Sequence, residues 1–212
     1  MKRFSNLYLL LFFLFSISAF GQTYGDGLVE YEFGYPFKTG IYYTFENFKE
    51  NHPIEINSFR VITRANTAGC RSGNLSDYII YESGTEEIRV NGEDIWGYSK
   101  KGDVYVTHKN MFYEILIYGG ISYLVALRGG FKEDDGVQKQ LNAANEERHA
   151  LLDANTGKTY DFKTKFLDSL LMQDKDIYEE YLNSNLKKRD KKFIFLRKYN
   201  EKHQIYFPIV ED

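Results

Sequence analysis

Glu114 is the side chain best placed to do chemistry. In Met111-Phe112-Tyr113-Glu114-Ile115-Leu116 its alternate neighbours are Phe112 and Leu116, so in a strand the carboxylate shares a face with apolar groups. Burial there disfavours the charged form and would move the acid toward the range where a carboxyl acts as a general acid. The alternative is a carboxylate at a sheet margin, or one paired with an arginine such as Arg128. Metal ligation needs clustered donors, yet His52, His108, His149 and His203 stand far apart with no HExxH or HxxxH spacing, so no metal or cofactor is expected. Asp153-Ala154-Asn155-Thr156-Gly157 opens like a calcium loop, but its glycine comes one place early. Thr164 also stands where the bidentate glutamate belongs, and a hairpin turn explains the run better. Lys38-Thr39-Gly40 and Ser184-Asn185-Leu186-Lys187 match fragments of penicillin-recognising serine enzymes, but in reverse order and without a GxSxG elbow, so they read as coincidence.

Binding chemistry has broader support. Lys187, Lys188, Arg189, Lys191, Lys192, Arg197, Lys198 and Lys202 would give a C-terminal helix a basic face. Such a face suits an acidic polymer, lipid headgroups or a protein partner, or is simply solvated. No aromatic interleaving turns it into a platform for single-stranded nucleic acid. With 27 basic against 30 acidic residues the chain lacks the excess charge that nucleic-acid binding draws on. Trp96, Tyr98 and the other tyrosines, 18 in all, are either sheet-packing residues or exposed anchors able to stack on sugar rings. Cys70 stands alone, which excludes an intramolecular disulfide; Arg71 beside it would favour a thiolate, although a lone cysteine usually serves as a small buried side chain. Asn74-Leu75-Ser76 is a glycosylation sequon in a eukaryotic host only.

The elements that would position these groups alternate at period two through most of the chain. Gly40 to Tyr43 reads as a strand leading into a turn of helix, Phe45 to Lys49, capped by Thr44 and ended before Pro53. Ile54 to Ile56, Arg60 to Arg64 and Tyr78 to Tyr81 are strand candidates around a small-residue loop, 65 to 77. Glu86 to Val90 and Glu93 to Tyr98 flank Asn91-Gly92, which predicts a type I′ hairpin pairing Val90 with Glu93, Arg89 with Asp94 and Ile88 with Ile95. Asp103 to His108 continues the meander. Met111 to Tyr118 and Ile121 to Arg128 flank Gly119-Gly120, a second two-residue hairpin with both faces apolar, which must be covered twice. A charged excursion runs from about 129 to 148, followed by a hairpin, His149 to Asp153 with Lys158 to Phe162. Period 3.6 then appears in Phe166, Leu167, Leu170 and Leu171 and in Ile177, Tyr178, Tyr181 and Leu182, with Asp174 as a cap and a last helix from about Asp190 to Lys202. The expected fold is α+β: an antiparallel β-meander sheet or partly open barrel packed by helices of the C-terminal part, 163 to 203.

Lys2 and Arg3 precede an apolar stretch, Leu7 to Phe20, that closes on Ala19 and Gly21. This is the pattern of a signal peptide over residues 1 to 21, too short to span a bilayer. Its removal takes Lys2 and Arg3 and moves the formal charge from −3 to −5. Residues 22 to 212 then read as one α+β domain with no further membrane span, exported to the periplasm or secreted. Cys70 lies too far from the cut to carry a lipid.

Several stretches resemble an uncharacterised family of small secreted Bacteroidota proteins: Ser18-Ala19-Phe20-Gly21-Gln22, Gly40-Ile41-Tyr42-Tyr43-Thr44-Phe45-Glu46-Asn47-Phe48 with Asn51 and Pro53, Ile95-Trp96-Gly97-Tyr98, and Tyr199-Asn200. The resemblance implies bacterial export and a shared fold, and no activity. Three functions are therefore carried forward: a non-enzymatic module binding an envelope or extracellular partner, a small carboxylate-dependent hydrolase of glycan or peptide using Glu114, and a carrier of a small apolar ligand. Expressed in a bacterium with its leader, the secreted chain is expected to begin at Gln22, and intact-mass measurement will read the cleavage point directly.

Overall fold

The computed structural model describes residues 23–24, 27–63, 76–126 and 149–210. Readings on the leader, on Cys70, Arg71 and Asn74, on Arg128 and on the charged excursion lie outside the described residues. In chain order the strands are β1 (Thr23–Tyr24), β2 (Leu28–Glu30), β3 (Gly40–Tyr42), β4 (Ile54–Glu55), β5 (Phe59–Ile62), β6 (Tyr78–Ser83), β7 (Glu86–Asn91), β8 (Gly97–Lys100), β9 (Asp103–His108), β10 (Met111–Ile117), β11 (Ile121–Ala126), β12 (His149–Asp153), β13 (Thr159–Asp161) and β14 (Tyr206–Pro208). The helices are α1 (Phe45–Lys49), α2 (Thr164–Leu171), α3 (Lys175–Asn183) and α4 (Lys188–Lys202).

Eight strands form one antiparallel sheet in the order β13-β12-β11-β10-β9-β8-β3-β4, and two three-stranded sheets, β1-β2-β14 and β5-β6-β7, pack with it. Directly paired residues share a face, so Tyr42, Val104, Val106, Tyr113, Ile115, Leu124, Ala150 and Leu152 line one side of the large sheet. On that side they meet Tyr35, Phe37, Phe48 of α1, Ile205 and Phe207 of β14. The opposite side is covered in two parts. Ile41, Tyr98 and Phe112 pack under β5-β6-β7 through Phe59, Ile79 and Val90. Ile121, Tyr123 and Leu151 pack under the helices through Leu167, Leu171, Ile177, Phe195 and Tyr199. Sheet and helices thus divide one face while aromatic side chains fill the other, and the α+β architecture follows.

The large sheet is strongly curled. A flat sheet would hold β9 and β13, four steps apart, at about 19 Å, yet His108 of β9 hydrogen-bonds Thr159 and Asp161 of β13 at 2.9 and 3.0 Å. The Trp96 indole donates across the same gap to the Gly157 carbonyl at 3.2 Å. Side chains close the curl where no backbone ladder does, giving a partly open barrel.

Local signals explain many boundaries. Thr44 and Asn47 form a reciprocal capping box on α1, each side chain accepting the other's backbone N–H at 3.2 Å. Asp174 caps α3 by accepting from Ile177 N–H. Asp153 organises its hairpin by accepting from Asn155 N–H and the Thr156 hydroxyl, each at 2.9 Å, with Gly157 at φ 71°.

Two expected hairpins differ. Asn91-Gly92 does not reverse the chain onto β8. Instead β7 pairs with β6 across Gly84-Thr85, with Gly84 at φ 66°, the first central position that a type II′ turn reserves for glycine. Ile88 thus faces Tyr81 and Val90 faces Ile79, an apolar row that covers the large sheet, whereas the predicted pairing would have set Glu93 opposite Val90 and brought charge there. Gly92 starts a 3-10 turn, Gly92–Asp94, that carries the chain to the large sheet. Its N–H donates to the Asp77 carbonyl at 2.7 Å, and a Cβ would stand 3.1 Å from that oxygen.

A two-residue turn at Gly119-Gly120 would pair Tyr113 with Ala126, Glu114 with Val125, Ile115 with Leu124 and Ile117 with Ser122, and the first three pairs hold. The register then slips, and Ile117 pairs with Tyr123 rather than Ser122. The end of α4 is the cause. A Cβ on Gly119 would overlap the Asn200 side chain, and one on Gly120 would stand 2.8 Å from His203 Cβ. Asn200 brackets Ile121, its Oδ1 accepting from the backbone N–H at 3.0 Å and its Nδ2 donating to the carbonyl at 2.9 Å. Asn200→Ala leaves both buried backbone groups unpaired and is expected to cost about 3 kcal/mol, whereas Glu201→Ala on the exposed side is expected to be nearly neutral; urea unfolding of the two variants measures the difference.

Candidate functional site

The α3–α4 hairpin presents the most distinctive surface of the described residues. Ile177 and Tyr181 of α3 point inward, and Tyr181 packs edge-on to Phe195 of α4 at 5.3 Å. On α4 the inward sector is Lys192, Phe195, Leu196, Tyr199 and Asn200. The outward sector therefore carries Ile194, 46% exposed, whereas Phe193, 38% exposed, sits at the margin with its ring against Tyr123 and Phe162, each at 5.2 Å; Leu182 of α3 and Leu186 of the connection are 57% and 45% exposed. Of ten large hydrophobic side chains exposed among the described residues, four fall within 182–194, so this hairpin concentrates them.

Basic residues frame it. Lys187, Lys191, Ile194 and Lys198 recur at spacings of four, three and four and form one row on the helix. Lys187 and Lys188 are exposed. Lys191 donates to the Ser184 carbonyl at 3.2 Å and its ammonium lies 4.4 Å from the Tyr181 ring centre. Lys198 pairs with Glu180. Lys187 occupies the α4 N-cap without making a capping bond, and Lys188 begins the helix; cations there oppose the helix dipole. Helix stability alone would not select these residues.

The other residues singled out from sequence have different places. Lys192 is 8% exposed with its ammonium 5.0 Å from the Phe162 ring centre, because helical phase turns it away from its basic neighbours. Arg189 is helical, and its side chain lies outside the described set. Tyr98 is 1% exposed, stacked on Tyr105 at 4.6 Å and edge-on to Phe112 at 4.9 Å; register pairs it with Ile41 and Tyr105, which turns it into the core rather than toward a ligand. Trp96 is partly buried, stacked on Phe48 at 4.6 Å, and acts as a packing strut. Glu114 is half-exposed between Tyr105 and Val125, at the seam where the two covers of the sheet meet, and it is not without a partner. Burial, and then the charges of Glu114 and Asp103, push the Tyr105 hydroxyl up; Asp103 itself is exposed beside the Lys101-Gly102 reversal.

Sequence reasoning missed the most connected polar cluster. The imidazole of His108, 6% exposed, bridges the Thr159 hydroxyl at Nδ1 and Asp161 at Nε2, the connectivity of a nucleophilic triad. Lys109 and Lys163 hold the two Asp161 oxygens, so the carboxylate is the hub of a closure between β9 and β13 rather than a dedicated partner for the histidine. Only the alternation of Thr159 and Asp161 on one strand face hinted at it, since His108 is some fifty positions away. A second hub, Asp174, takes both His203 and Lys202 at 2.7 Å. Among the described residues no group of three His, Cys, Asp or Glu side chains is arranged to hold a metal, and no helix is long and apolar enough to cross a membrane. An open cleft of about 730 Å3 lies between residues 54–60 and the β6–β7 hairpin, with the Arg60–Glu87 ion pair of 2.9 Å at its wall.

These hubs set the acid response. Burial pushes His108 below its ordinary 6.5, against the hydrogen bond it donates to Asp161, so the unfolded chain takes up the proton first and stability falls as pH drops through about 6.5. Hydrogen bonds, from Lys109 first to Asp161 and from Lys202 first to Asp174, hold both carboxyls well below the usual range. Their contribution is complete above about pH 4 and is lost below it. The urea midpoint is expected to fall between pH 7.5 and 5.5 and again below 4; His108→Gln should flatten the first fall and leave the second. No known family model, no curated protein and no solved structure matches the chain.

Proposed function

We propose that the chain is an exported, non-enzymatic interaction module of the cell envelope, which docks through the outer side of the α3–α4 hairpin. The observation that carries this reading is the pairing of unneeded cost with exposure. Three large apolar side chains, Leu182, Leu186 and Ile194, face water, and two lysines sit at a helix N-terminus where the dipole disfavours them. Departures from local consistency of this kind mark surfaces kept for something other than folding. The leader-like N-terminus supports export to the periplasm or beyond. The concave side of the sheet, occupied by Tyr35, Phe37, Phe48 and Phe207, is better suited to holding the fold than to carrying a ligand.

Washed envelope fragments test the reading. The wild-type protein is expected to sediment with them, and the variant Leu182→Ser, Leu186→Ser, Lys187→Glu, Lys188→Glu to remain in the supernatant with unchanged circular dichroism. Equal sedimentation of the two would remove the hairpin from the docking surface.

A further inference from the structure

Resting on that docking reading, we infer that the surface met by the α3–α4 hairpin is an anionic lipid bilayer. Charge is segregated along the chain: residues 187–202 hold eight basic side chains against Asp190 and Glu201, while the whole protein is acidic. Of the acidic groups near the face, Glu180 is matched by Lys198 and Glu179 by Lys175, Asp176 lies 3.8 Å from Lys202, and Asp190 and Glu201 share the Ile194 side of α4, one turn before it and two turns after it. Lys187, Lys188 and Arg197 are exposed, and no partner is described for any of them. Basic side chains therefore stand on both sides of Ile194, with Lys187, Lys191 and Lys198 on one flank and Arg197 on the other.

Shape separates a bilayer from a protein partner. The exposed apolar side chains are Ile194 on the outward side of α4, Leu186 on the connection before it and Leu182 in the last turn of α3. Three exposed apolar side chains are a small area against the roughly 800 Å2 per partner of a standard protein interface. A fluid interface needs no matching pocket. Apolar tips enter the acyl boundary, the long lysine stems extend along it, and each ammonium reaches the headgroups. A 15-residue α4 lying in the plane delivers these contacts together, and each basic residue near an anionic leaflet strengthens partitioning about fivefold.

Sedimentation with extruded vesicles is the test, using phosphatidylcholine alone and phosphatidylcholine mixed with phosphatidylglycerol. The expected result is binding to the mixed vesicles only, abolished by high salt. Lys187→Glu with Lys188→Glu should weaken it by about 25-fold or more, and Leu186→Ser with Ile194→Ser by about tenfold. Ile194→Trp should shift its emission to the blue on mixed vesicles and not on phosphatidylcholine. Equal binding to both vesicle types, or to neither, overturns the lipid assignment. If the wild type then still sediments with envelope fragments and the hairpin variant does not, the docking surface stands and its partner is not the lipid; if both sediment alike, the docking reading itself fails.

Discussion

An antiparallel sheet that is apolar on both faces cannot stand in water, and this requirement organises the whole molecule. Through β10, β11 and β12, Tyr113, Ile115, Leu124, Ala150 and Leu152 face one side while Phe112, Tyr123 and Leu151 face the other. At roughly 25 cal/mol per Å2 of apolar surface removed from water, leaving either side open would sacrifice most of the driving force for folding. The rest of the chain is recruited as cover. The amino-terminal segment, α1 and the final strand fill the concave side, while the helices and the β5-β6-β7 sheet share the convex one.

Covering a curled sheet from both sides leaves seams, and buried polar clusters sit at them. Asp161 draws β13 toward β9, Asp174 ties the start of α3 to the end of α4, and Asn200 fastens α4 to the β10–β11 reversal. Each satisfies groups that burial would otherwise leave unpaired, an arrangement worth more through the penalty it avoids than through the bond it adds. With no disulfide available to a chain with one cysteine, these hubs fix the relative placement of layers that apolar packing alone would leave free to slide. The histidine among them resembles catalytic machinery in connectivity alone. Its carboxylate is shared with two lysines, and its ring is enclosed.

The helical hairpin lies at the outer margin of this assembly. One side of α4 is committed to the sheet, Lys191 and Lys198 tie its flank to α3, and Ile194 beyond them stands exposed. The same geometry explains why the seven basic residues from 187 to 198 do not act alike. Around a helix they point to different sectors, so Lys192 goes inward over Phe162 while Lys187 and Lys188 stay in solvent.

Pattern and local chemistry were legible before any coordinates: period-two alternation placed most of the strands, period 3.6 placed α2, α3 and α4, and Thr44, Asp174 and Gly157 marked caps and a turn through bonds made within a few residues. The two apolar faces of β10 and β11 also announced double cover. Tertiary structure decided which strand a good turn dipeptide would join. Asn91-Gly92 lost its hairpin because pairing β7 with β6 buries Val90 and Ile88, and the register after Leu116 yielded to the packing of Asn200 and His203. It also decided that Tyr98 would be core and that His108 would meet Asp161. Residues far apart in the chain come together only through the summed burial and curl of the whole sheet, and no window of sequence contains that sum.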